Sequence, residues 1–391
     1  MAGRQDRDGD EEDRVTPLDG LVVLDFTRIL AGPLATMLLS DLGADVIKVE
    51  RPGSGDDTRT WGSPFRGKDA TYFLGVNRGK RSVALDLVSE EGRDQALRLA
   101  ERADVVVENF RSGVMDRLGL GYDDLRAVNP RLVYCSVPAF ARVDTGRPGY
   151  DLLMQAACGL MSVTGEDTPV KAGVAVLDVI TGLYASNGIL AALAARTVTG
   201  QGQHVTVGLY EASLAGMVNQ AAGHLLGGAV PGLAGNAHPS IVPYQLFEAA
   251  DGALVLAAGN DKLFRATCLL AGLPELADDP RLATNTGRVA HREELVGRLQ
   301  EAFSARPVAH WVAACAERGV PASPVRTMDE VFEAPEAAHS TFTVDDPVRG
   351  PLRYVRPPIT LSGTPLREDP LPPPQLGEHD AELLDQGRTA D

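Results

Sequence analysis

Cysteine and histidine are scarce in this chain, which has four of the first and seven of the second. The cysteines form no Cys-x-x-Cys pair, and no two histidines have the His-x-His or His-x-x-x-His spacing of metal ligands. We therefore expect no metal site. The cysteines, which we expect to be free thiols in a reducing cytoplasm, are Cys135, Cys158, Cys268 and Cys315.

Positive charge is also in deficit. The 391 residues include 37 Lys and Arg against 53 Asp and Glu, a net charge of −16, so we expect neither nucleic acid nor anionic membrane among the partners. No stretch reads as the roughly 18 uncharged apolar residues of a membrane span, and the N-terminus lacks the apolar segment of a secretory signal. These absences predict a cytoplasmic protein.

Residues 1–15 are acidic and have the composition of a disordered tail. After them, short β-rich runs alternate with helical patterns. Helix-separated strands of this length are typical of an open, doubly wound parallel sheet, so the fold class is α/β. A nearly all-apolar helix is predicted at residues 180–196. The predicted strands cover residues 21–26, 44–50, 82–87, 103–110, 131–137, 173–178 and 203–209.

The pattern changes after about residue 225. Residues 227–244 are rich in Gly and Pro and predict a linker or loop. A hairpin follows at 245–259 with Asp251-Gly252 as its turn, and helical patterns continue beyond it. The chain is thus predicted to contain a large α/β domain, residues 16–225, and a smaller α+β domain, residues 226–329, before a proline-rich C-terminal stretch that favours extended structure.

One lone carboxylate stands where the predicted strand 173–178 meets the apolar helix. In GVAVLDVITG, residues 173–182, this is Asp178. Its position suits an N-cap, because an Asp side chain accepts hydrogen bonds from free helix N–H groups. It equally suits a ligand-binding carboxylate at the edge of the sheet, which the helix dipole would keep ionised as a nucleophile or base. Both interpretations stay open at this point.

Several cations follow the early strands, which in so acidic a chain suggests an anion site. They are Arg28, Lys48, Arg51, Arg59, Lys80, Arg81 and Arg117. The small residues of Leu30-Ala31-Gly32-Pro33, after the first strand, allow a ligand to approach the next helix N-terminus, or simply form a tight turn. No Gly-x-Gly-x-x-Gly motif occurs in the strand–helix context of a dinucleotide site, and no Gly-x-Ser-x-Gly elbow indicates a hydrolase.

Taken in order, the motifs of this chain resemble those of the class III coenzyme A transferases, the CaiB/BaiF type that includes formyl-CoA transferase. The resemblance covers roughly residues 17–385. Its motifs are PLDGLVVLDFTRILAGP (17–33), LGADVIKVERPGSGDDTR (42–59), NRGKRSVALDL (77–87), ADVVVENFRSGVMDRLGLGYDDL (103–125), GVAVLDVITGLYA (173–185) and HPSIVPYQ (238–245).

The resemblance implies a covalent mechanism in which Asp178 attacks the donor thioester. A mixed anhydride and then an aspartyl-CoA thioester would form, and CoA would pass to a carboxylic acid acceptor without metal or ATP. Acyl-CoA and the acid are thus the expected substrates, succinyl-CoA or another dicarboxylyl-CoA among them, and no permanent cofactor is expected. The implied CoA contacts are Ile29, Leu30, Ala31, Arg51, Leu85, Asn109, Phe110, Arg117 and Tyr150.

The resemblance also implies architecture. The family forms an interlocked, ring-like homodimer in which a large Rossmann-like domain, here 16–225, is completed by the returning C-terminus, here 330–391. A glycine-rich loop over the intermediate would correspond to residues 232–239. The chain departs from the family in residues 137–147, where Pro138 and Ala139 replace glycines, and near Val88, where a lysine contact is missing.

Two alternatives remain. An α-methylacyl-CoA racemase shares the fold, but its acid/base pair requires a histidine near residues 150–154, and this chain has none between 1 and 203. A non-catalytic CoA-binding subunit is the other, against which Asp178 itself argues. Exchange of the α-proton would support the first, and absence of acyl exchange the second.

Overall fold

The computed structural model describes residues 15–143 and 147–384. The predicted tail, 1–15, therefore lies outside the described residues except for its last residue, and so do residues 144–146 of the segment that departs from the family pattern. The chain divides into two compact units. The first contains residues up to Cys158, Ala172–Gly227 and the chain from His339, and the second contains Gly159–Lys171 and Gly228–Ala338.

Strands and helices alternate through the first unit and separate into a hairpin region and a helical region in the second. The strands are β1 (Val22–Asp25), β2 (Asp45–Glu50), β3 (Phe65–Arg66), β4 (Asp69–Ala70), β5 (Lys80–Ala84), β6 (Val105–Glu108), β7 (Val133–Ser136), β8 (His204–Thr206), β9 (Tyr244–Ala249), β10 (Gly252–Ala257), β11 (Ala322–Pro324), β12 (Thr341–Asp346) and β13 (Gly350–Val355). The α-helices are α1 (Ala31–Asp41), α2 (Thr71–Gly75), α3 (Glu90–Glu101), α4 (Val114–Arg117), α5 (Tyr122–Val128), α6 (Asp151–Ala157), α7 (Leu160–Val163), α8 (Val176–Thr199), α9 (Leu209–Gly216), α10 (Val218–Gly227), α11 (Asp261–Leu270), α12 (Pro274–Asp278), α13 (Asn285–Ala290), α14 (Arg292–Phe303), α15 (Val308–Glu317), α16 (Met328–Glu333), α17 (Pro335–Ala338) and α18 (Asp380–Leu384).

The first unit is built on a six-stranded parallel sheet in the order β5-β2-β1-β6-β7-β8. The α/β fold with a large parallel sheet, predicted from the alternating pattern, is confirmed. Strand order reverses between β1 and β6, and at such a switch point the loops after two neighbouring strands diverge and leave a crevice. The segments that begin at Thr27 and Asn109 therefore border a ligand-sized opening.

Apolar residues cover both faces of this sheet, as a sheet buried on both sides requires. One face packs against α3, α5 and α18 through a cluster that includes Leu24, Val106 and Tyr134. The other packs against α1 and α8 through Val23, Val105 and Val133 on the sheet, with Ile189 and other residues of α8. Each strand thus contributes alternate side chains to two separate cores.

The predicted strand at 173–178 is wrong. Residues up to Ala175 are irregular, and α8 begins at Val176. In the run Val174–Leu177, Leu177 is buried and Val174 is exposed. A short apolar run does not by itself separate a strand from the first turn of a buried helix. Asp178 accordingly lies in the first turn of α8 and not at the end of a strand.

Helix α8 is long and apolar enough, by length and composition alone, to cross a membrane; it is the one helix in the described part of the chain that passes this test. This corrects the expectation that no stretch comes near such a span. In the fold, Ala185, Ile189 and Ala192 on α8 are buried against α1 and the sheet. Leu183, Tyr184 and Val198 of the same helix are exposed, so α8 is buried on only part of its surface.

The C-terminal part of the chain returns along the first unit. After the β12–β13 hairpin it runs without regular structure, and its carbonyl oxygens at Pro373 and Pro374 accept hydrogen bonds from Arg349 and Arg59. His379 and Asp380 then contact the backbone of β5. Hydrogen bonds that involve side chains thus hold the proline-rich stretch at the β5 edge of the sheet. The stretch between β13 and α18 forms no regular strand.

The second unit has a three-stranded antiparallel sheet in the order β11-β10-β9. The hairpin predicted at 245–259 is confirmed as β9 and β10, with Asp251 in the turn. Helices α11, α14 and α15 cover this sheet through a core that includes Phe247, Phe303 and Trp311. All four cysteines are buried free thiols.

Candidate active site

A cavity of about 450 Å³ opens in the first unit at the switch point of the sheet. Its walls come from the segment after β1, the segment after β6, residues that follow β7, and the start of α8. Most of the site residues predicted from the sequence line it, although they are far apart in the chain. They are Ile29, Leu30, Ala31, Asn109, Phe110, Arg117, Tyr150 and Asp178.

Asp178, the residue predicted to be catalytic, lines this cavity. Asp178 is 9% exposed, and its carboxylate accepts no hydrogen bond from any residue that the structure describes. The N-cap of α8 is Ala175, so the capping interpretation of Asp178 is wrong. A buried carboxylate without partners has lone pairs directed at whatever enters the cavity.

A neighbouring carboxylate performs the capping instead. Asp151, the first residue of α6, accepts through Oδ1 from the backbone N–H groups of Leu177, at 2.8 Å, and Asp178, at 3.2 Å. Its other oxygen, Oδ2, accepts from the amide of Gln155, whose Oε1 accepts in turn from the backbone N–H of Ala172. This brace fixes the start of α8 and therefore the position of Asp178.

Burial, followed by the nearby charge of Asp151, raises the pKa of Asp178 to about 7. The expectation that the helix dipole keeps Asp178 ionised is therefore wrong. Burial is the larger cause of the shift in pKa, and the N–H groups of Leu177 and Asp178 donate to Asp151, not to the Asp178 carboxylate. The site thus holds a carboxylate that is only part ionised at neutral pH.

Close packing of two helices brings Asp178 to the start of α1. Gly182 lies one turn after Asp178 in α8, and a Cβ at this position would lie 2.7 Å from the carbonyl oxygen of Ala31. Leu30, the N-cap of α1, supplies no side-chain hydrogen bond, and the first turn has no acidic residue. The N-terminus of α1 is therefore open to an anionic group on the cavity wall.

Four arginines surround the same cavity: Arg28, Arg111, Arg117 and Arg147. Arg28 lies over the ring of Phe110 at 5.0 Å, and Arg147 lies over Phe140 at 4.9 Å. Guanidinium groups that stack on aromatic rings keep their N–H donors directed sideways, which suits phosphate and carboxylate oxygens. A chain of net charge −16 therefore places four arginines on the wall of this cavity.

Comparison with known proteins agrees with this geometry. Residues 18–380 match the family described as CoA-transferase family III. The chain is 42% identical over 387 residues to the succinate–glutarate CoA-transferase of Agrobacterium fabrum, covering 96% of each chain. It is 41% identical to the succinyl-CoA:glutarate CoA-transferase of Homo sapiens, covering 95% of this chain and 86% of the relative.

The chain belongs to CoA-transferase family III. The fold agrees as well. A crystal structure of a CAIB/BAIF family protein from Brucella suis superposes with a TM-score of 0.85 at 43% identity, covering 95% of this chain and 99% of that chain. The resemblance drawn from the sequence motifs is confirmed, and CoA thioesters are the substrate class of the enzyme.

Two of the implied CoA contacts of this CoA transferase lie elsewhere. Among the described residues, Arg51 and Leu85 are absent from the cavity wall. Arg51 is exposed and lies 3.7 Å from Asp57, which does line the cavity. The side chain of Leu85 is buried in the core. Arg51 thus lies at the rim, while only the backbone of Leu85 could face a ligand.

Asn109, a predicted CoA contact that lines the cavity, also bonds the backbone of Arg28. Its Oδ1 accepts from the backbone N–H of Arg28 at 2.9 Å, and its Nδ2 donates to the carbonyl of Arg28 at 2.7 Å. These two bonds use the amide in both directions. In this transferase Asn109 therefore ties the segment after β6 to the segment after β1 across the switch point.

Sequence reasoning missed two side chains near Asp178, namely Asp151 and Tyr72. Burial, then the charges of Asp178 and Asp151, raise the pKa of the Tyr72 hydroxyl, which places this ring within electrostatic reach of both carboxylates. Tyr72 meets Trp61 edge to face at 5.8 Å. No local motif marks either residue, because each acquires its role through a contact that the fold creates.

Proposed function

We propose that this enzyme moves CoA from an acyl-CoA donor to a carboxylic acid acceptor, with Asp178 as the covalent nucleophile. The observation that carries the proposal is the free Asp178 carboxylate in a cavity with four arginines on its wall. This arrangement accommodates the acyl group of the donor beside the Asp178 carboxylate. It accommodates the nucleotide of CoA beside the arginines.

The chemistry begins when ionised Asp178 attacks the thioester carbonyl. A C–O bond forms, the C–S bond breaks, and CoA leaves as thiolate, so that Asp178 carries a mixed anhydride. The thiolate then attacks the aspartyl carbonyl carbon and releases the donor acid as a carboxylate. The acceptor carboxylate attacks the aspartyl-CoA thioester in the same way, and the thiolate finally takes the new acyl group, which regenerates Asp178.

The raised pKa of Asp178 has a consequence for this cycle. A carboxylate that is poorly stabilised by its surroundings is a stronger nucleophile than one in water, but it must first lose its proton. Asp151, which is itself bonded by Gln155, holds the backbone of Asp178 in place through the N–H groups of Leu177 and Asp178. Attack therefore requires that Asp178 first loses its proton.

For the nucleotide end of CoA, the N-terminus of α1 and the guanidinium groups supply the binding energy. Leu30 and Ala31 offer backbone N–H groups, while Arg28 and Arg117 present forked donors to phosphate oxygens. Arg51 at the rim adds charge nearby. Phe110 has an aromatic face on the cavity wall, which suits the adenine base.

Dicarboxylates are the proposed acids. The relatives named above act, by their printed names, on succinate, succinyl-CoA and glutarate. A further relative, 39% identical over 372 residues, is the acetyl-CoA:oxalate CoA-transferase of Acetobacter aceti. The arginines of the cavity wall, Arg111 among them, suit an acid whose second carboxylate needs a cation.

The interlocked homodimer is proposed as the assembly, with the 16–225 domain completed by 330–391, a small domain at 226–329, and a cytoplasmic location. Large apolar side chains remain exposed in the first unit, among them Val198 and Leu226, each 88% exposed, and Leu225, 78% exposed. Such exposure is uncommon on a monomer and typical of an interface. Sedimentation of the purified protein at micromolar concentration tests for the dimer.

Trapping of the acyl-enzyme tests the mechanism directly. With succinyl-CoA present, hydroxylamine should convert Asp178 to a hydroxamate, detected by mass spectrometry of the peptide, and it should leave Asp178 unmodified without succinyl-CoA. Asp151→Asn is the matched control, since it retains the cavity and the nucleophile. Modification of another residue, or none, would rule out an Asp178 intermediate.

The same samples distinguish a CoA transferase from the racemase alternative. Those enzymes need a histidine across from an aspartate, and among the described residues no histidine lines the cavity. Exchange of the substrate α-proton in deuterated water, without transfer of CoA to glutarate, would favour the racemase. Neither exchange nor transfer would favour the non-catalytic subunit.

A further inference from the structure

Buried charges lie directly beneath residues 27–31, which we call the ligand turn. Lys48, on β2, and Asp56, in the loop that follows β2, both have fully buried side chains, with 3.0 Å between Nζ and Oδ2. Lys80 and Asp25 form a second fully buried pair next to them, also at 3.0 Å. Removing such ions from water is costly unless each is paired and hydrogen-bonded.

Both members of the first pair also bond the backbone of the ligand turn. Lys48 donates from Nζ to the carbonyl oxygen of Thr27 at 2.8 Å. Asp56 accepts through Oδ1 from the backbone N–H of Ile29 at 3.4 Å. The pair thus bonds the backbone of the turn at Thr27 and at Ile29. The backbone of Arg28, between them, is bonded by the side chain of Asn109.

Ile29, whose N–H group donates to Asp56, has an unfavourable backbone conformation. Ile29 has φ of 73°, one of two non-glycine residues with positive φ among those that the structure describes. For a β-branched residue this conformation forces Cβ towards the following carbonyl oxygen. Such strain persists only where the surroundings hold it, and it is concentrated at ligand clamps.

The conformation of Ile29 decides what the cavity presents to a ligand. Ile29 precedes Leu30, the N-cap of α1, and both Leu30 and Ala31 line the cavity. The turn is tightly packed below, since a Cβ at Gly32 would overlap the side chain of Thr27. A relaxed Ile29 would therefore move Arg28, Leu30 and the start of α1 together.

We propose that Lys48 and Asp56 are positioning residues that hold Ile29 in its left-handed conformation, so that the ligand turn and the N-terminus of α1 bind the nucleotide part of CoA. The proposal rests on the proposed function for the identity of the ligand. It predicts an effect on CoA affinity, because the pair contacts the turn and makes no contact with Asp178. A pair that only stabilised the fold would change stability alone.

Lys48→Met tests this with the full-length enzyme. Loss of a charged donor to a positioned backbone corresponds to about a tenfold rise in the Kd of free CoA, measured by calorimetry. The KM for succinyl-CoA should rise by the same factor while kcat changes little. The control is Arg196→Met. Arg196 lies on α8, outside the cavity wall, and forms a buried ion pair with Asp104. Its loss should lower the unfolding temperature and leave the Kd of CoA unchanged.

Replacement of Ile29 separates positioning from bulk stability. Glycine adopts positive φ without steric penalty, so the Ile29→Gly variant needs no ion pair to keep its turn in place. When Lys48→Met is added to Ile29→Gly, the Kd of CoA should therefore rise by a smaller factor than it does beside the native Ile29. An equal factor in both backgrounds would overturn the proposal, as would an unchanged Kd in folded Lys48→Met.

If Lys48→Met fails to fold, Asp56→Asn serves in the same cycle, because it keeps the oxygen that faces Ile29 and removes the charge that holds Lys48. Asp56→Asn should also raise the Kd of CoA by a larger factor beside the native Ile29 than in the Ile29→Gly background. An equal factor in both backgrounds overturns the proposal. The calorimetric Kd needs no turnover. An enzyme that binds CoA with this coupling but transfers nothing would contradict the proposed function and leave the positioning role supported.

Discussion

Asp151 bonds the backbone of Asp178 and also faces its side chain with a like charge. Through Oδ1 it accepts from the N–H of Asp178 at 3.2 Å and from that of Leu177 at 2.8 Å. Its charge, after burial, is the second cause that raises the pKa of Asp178 to about 7. Asp151 thus holds the backbone of Asp178 and adds to the rise in its pKa that burial causes.

The pH dependence of transfer should report Asp178. Only the ionised form attacks, so kcat/KM for succinyl-CoA should fall about tenfold for each pH unit below about 7 and level off above it. Initial rates between about pH 5 and 9 measure this. A profile that is flat across the acidic half of that range would mean that Asp178 ionises with an ordinary pKa or does not act as the nucleophile.

Asp151→Asn should move that profile to lower pH. The amide oxygen still accepts from the backbone of α8, but the negative charge is gone, so Asp178 loses a proton more readily. We expect activity to persist to a lower pH than in the parent enzyme. Asp151→Ala is the companion variant, and loss of the cap should lower stability by about 1 kcal/mol. An unmoved profile in Asp151→Asn would leave burial as the sole cause.

Asp178→Asn should abolish transfer and stabilise the protein at high pH. Because the folded-state pKa lies above the ordinary 3.8, the folded protein binds more protons than the unfolded chain between about 4 and 7. Its stability therefore falls as pH rises across that window, and the penalty is fully present above about 7. The neutral amide has no such penalty.

Thermal unfolding of the parent and the Asp178→Asn variant at about pH 4 and pH 8 checks this. The variant should gain on the order of a few kcal/mol relative to the parent at the higher pH. The difference should shrink towards the lower pH, where the parent carboxyl is neutral when folded. A constant difference at both values would contradict a raised pKa.

Arg117→Gln should weaken CoA binding through loss of a phosphate partner. Arg117 lines the cavity, and a lost charge-assisted bond corresponds to roughly a tenfold rise in the KM for succinyl-CoA. The KM for glutarate should change little. Arg126→Gln is the matched control, since Arg126 lies against Tyr122 and outside the cavity wall. Equal effects in both variants would point to net charge instead of a specific contact.

Tyr72→Phe tests a residue found only in the structure. If the hydroxyl donates to a substrate carboxylate beside Asp178, its loss should reduce kcat by about tenfold or more and leave the Kd of CoA unchanged. Calorimetry and initial rates together measure the two quantities. An unaffected kcat would place Tyr72 in packing against Trp61 alone.

The amino-acid pattern alone was sufficient for the parallel sheet and its ligand edge. Its strands β1, β2, β5, β6 and β7, and the short β8, were readable as β-rich runs between helical patterns. Parallel pairing then places their carboxyl ends together. The ordered motifs also identified the family and singled out Asp178, since those signals are local in the chain.

Contacts between distant segments decided the rest. Whether residues 173–178 form a strand or a helix start depends on what covers Leu177, and the protonation of Asp178 depends on Asp151, 27 residues away. The roles of Asn109, Tyr72 and Lys48 likewise depend on partners from other segments. Local pattern reports burial and propensity, whereas hydrogen-bond partners and electric fields exist only once the chain has packed.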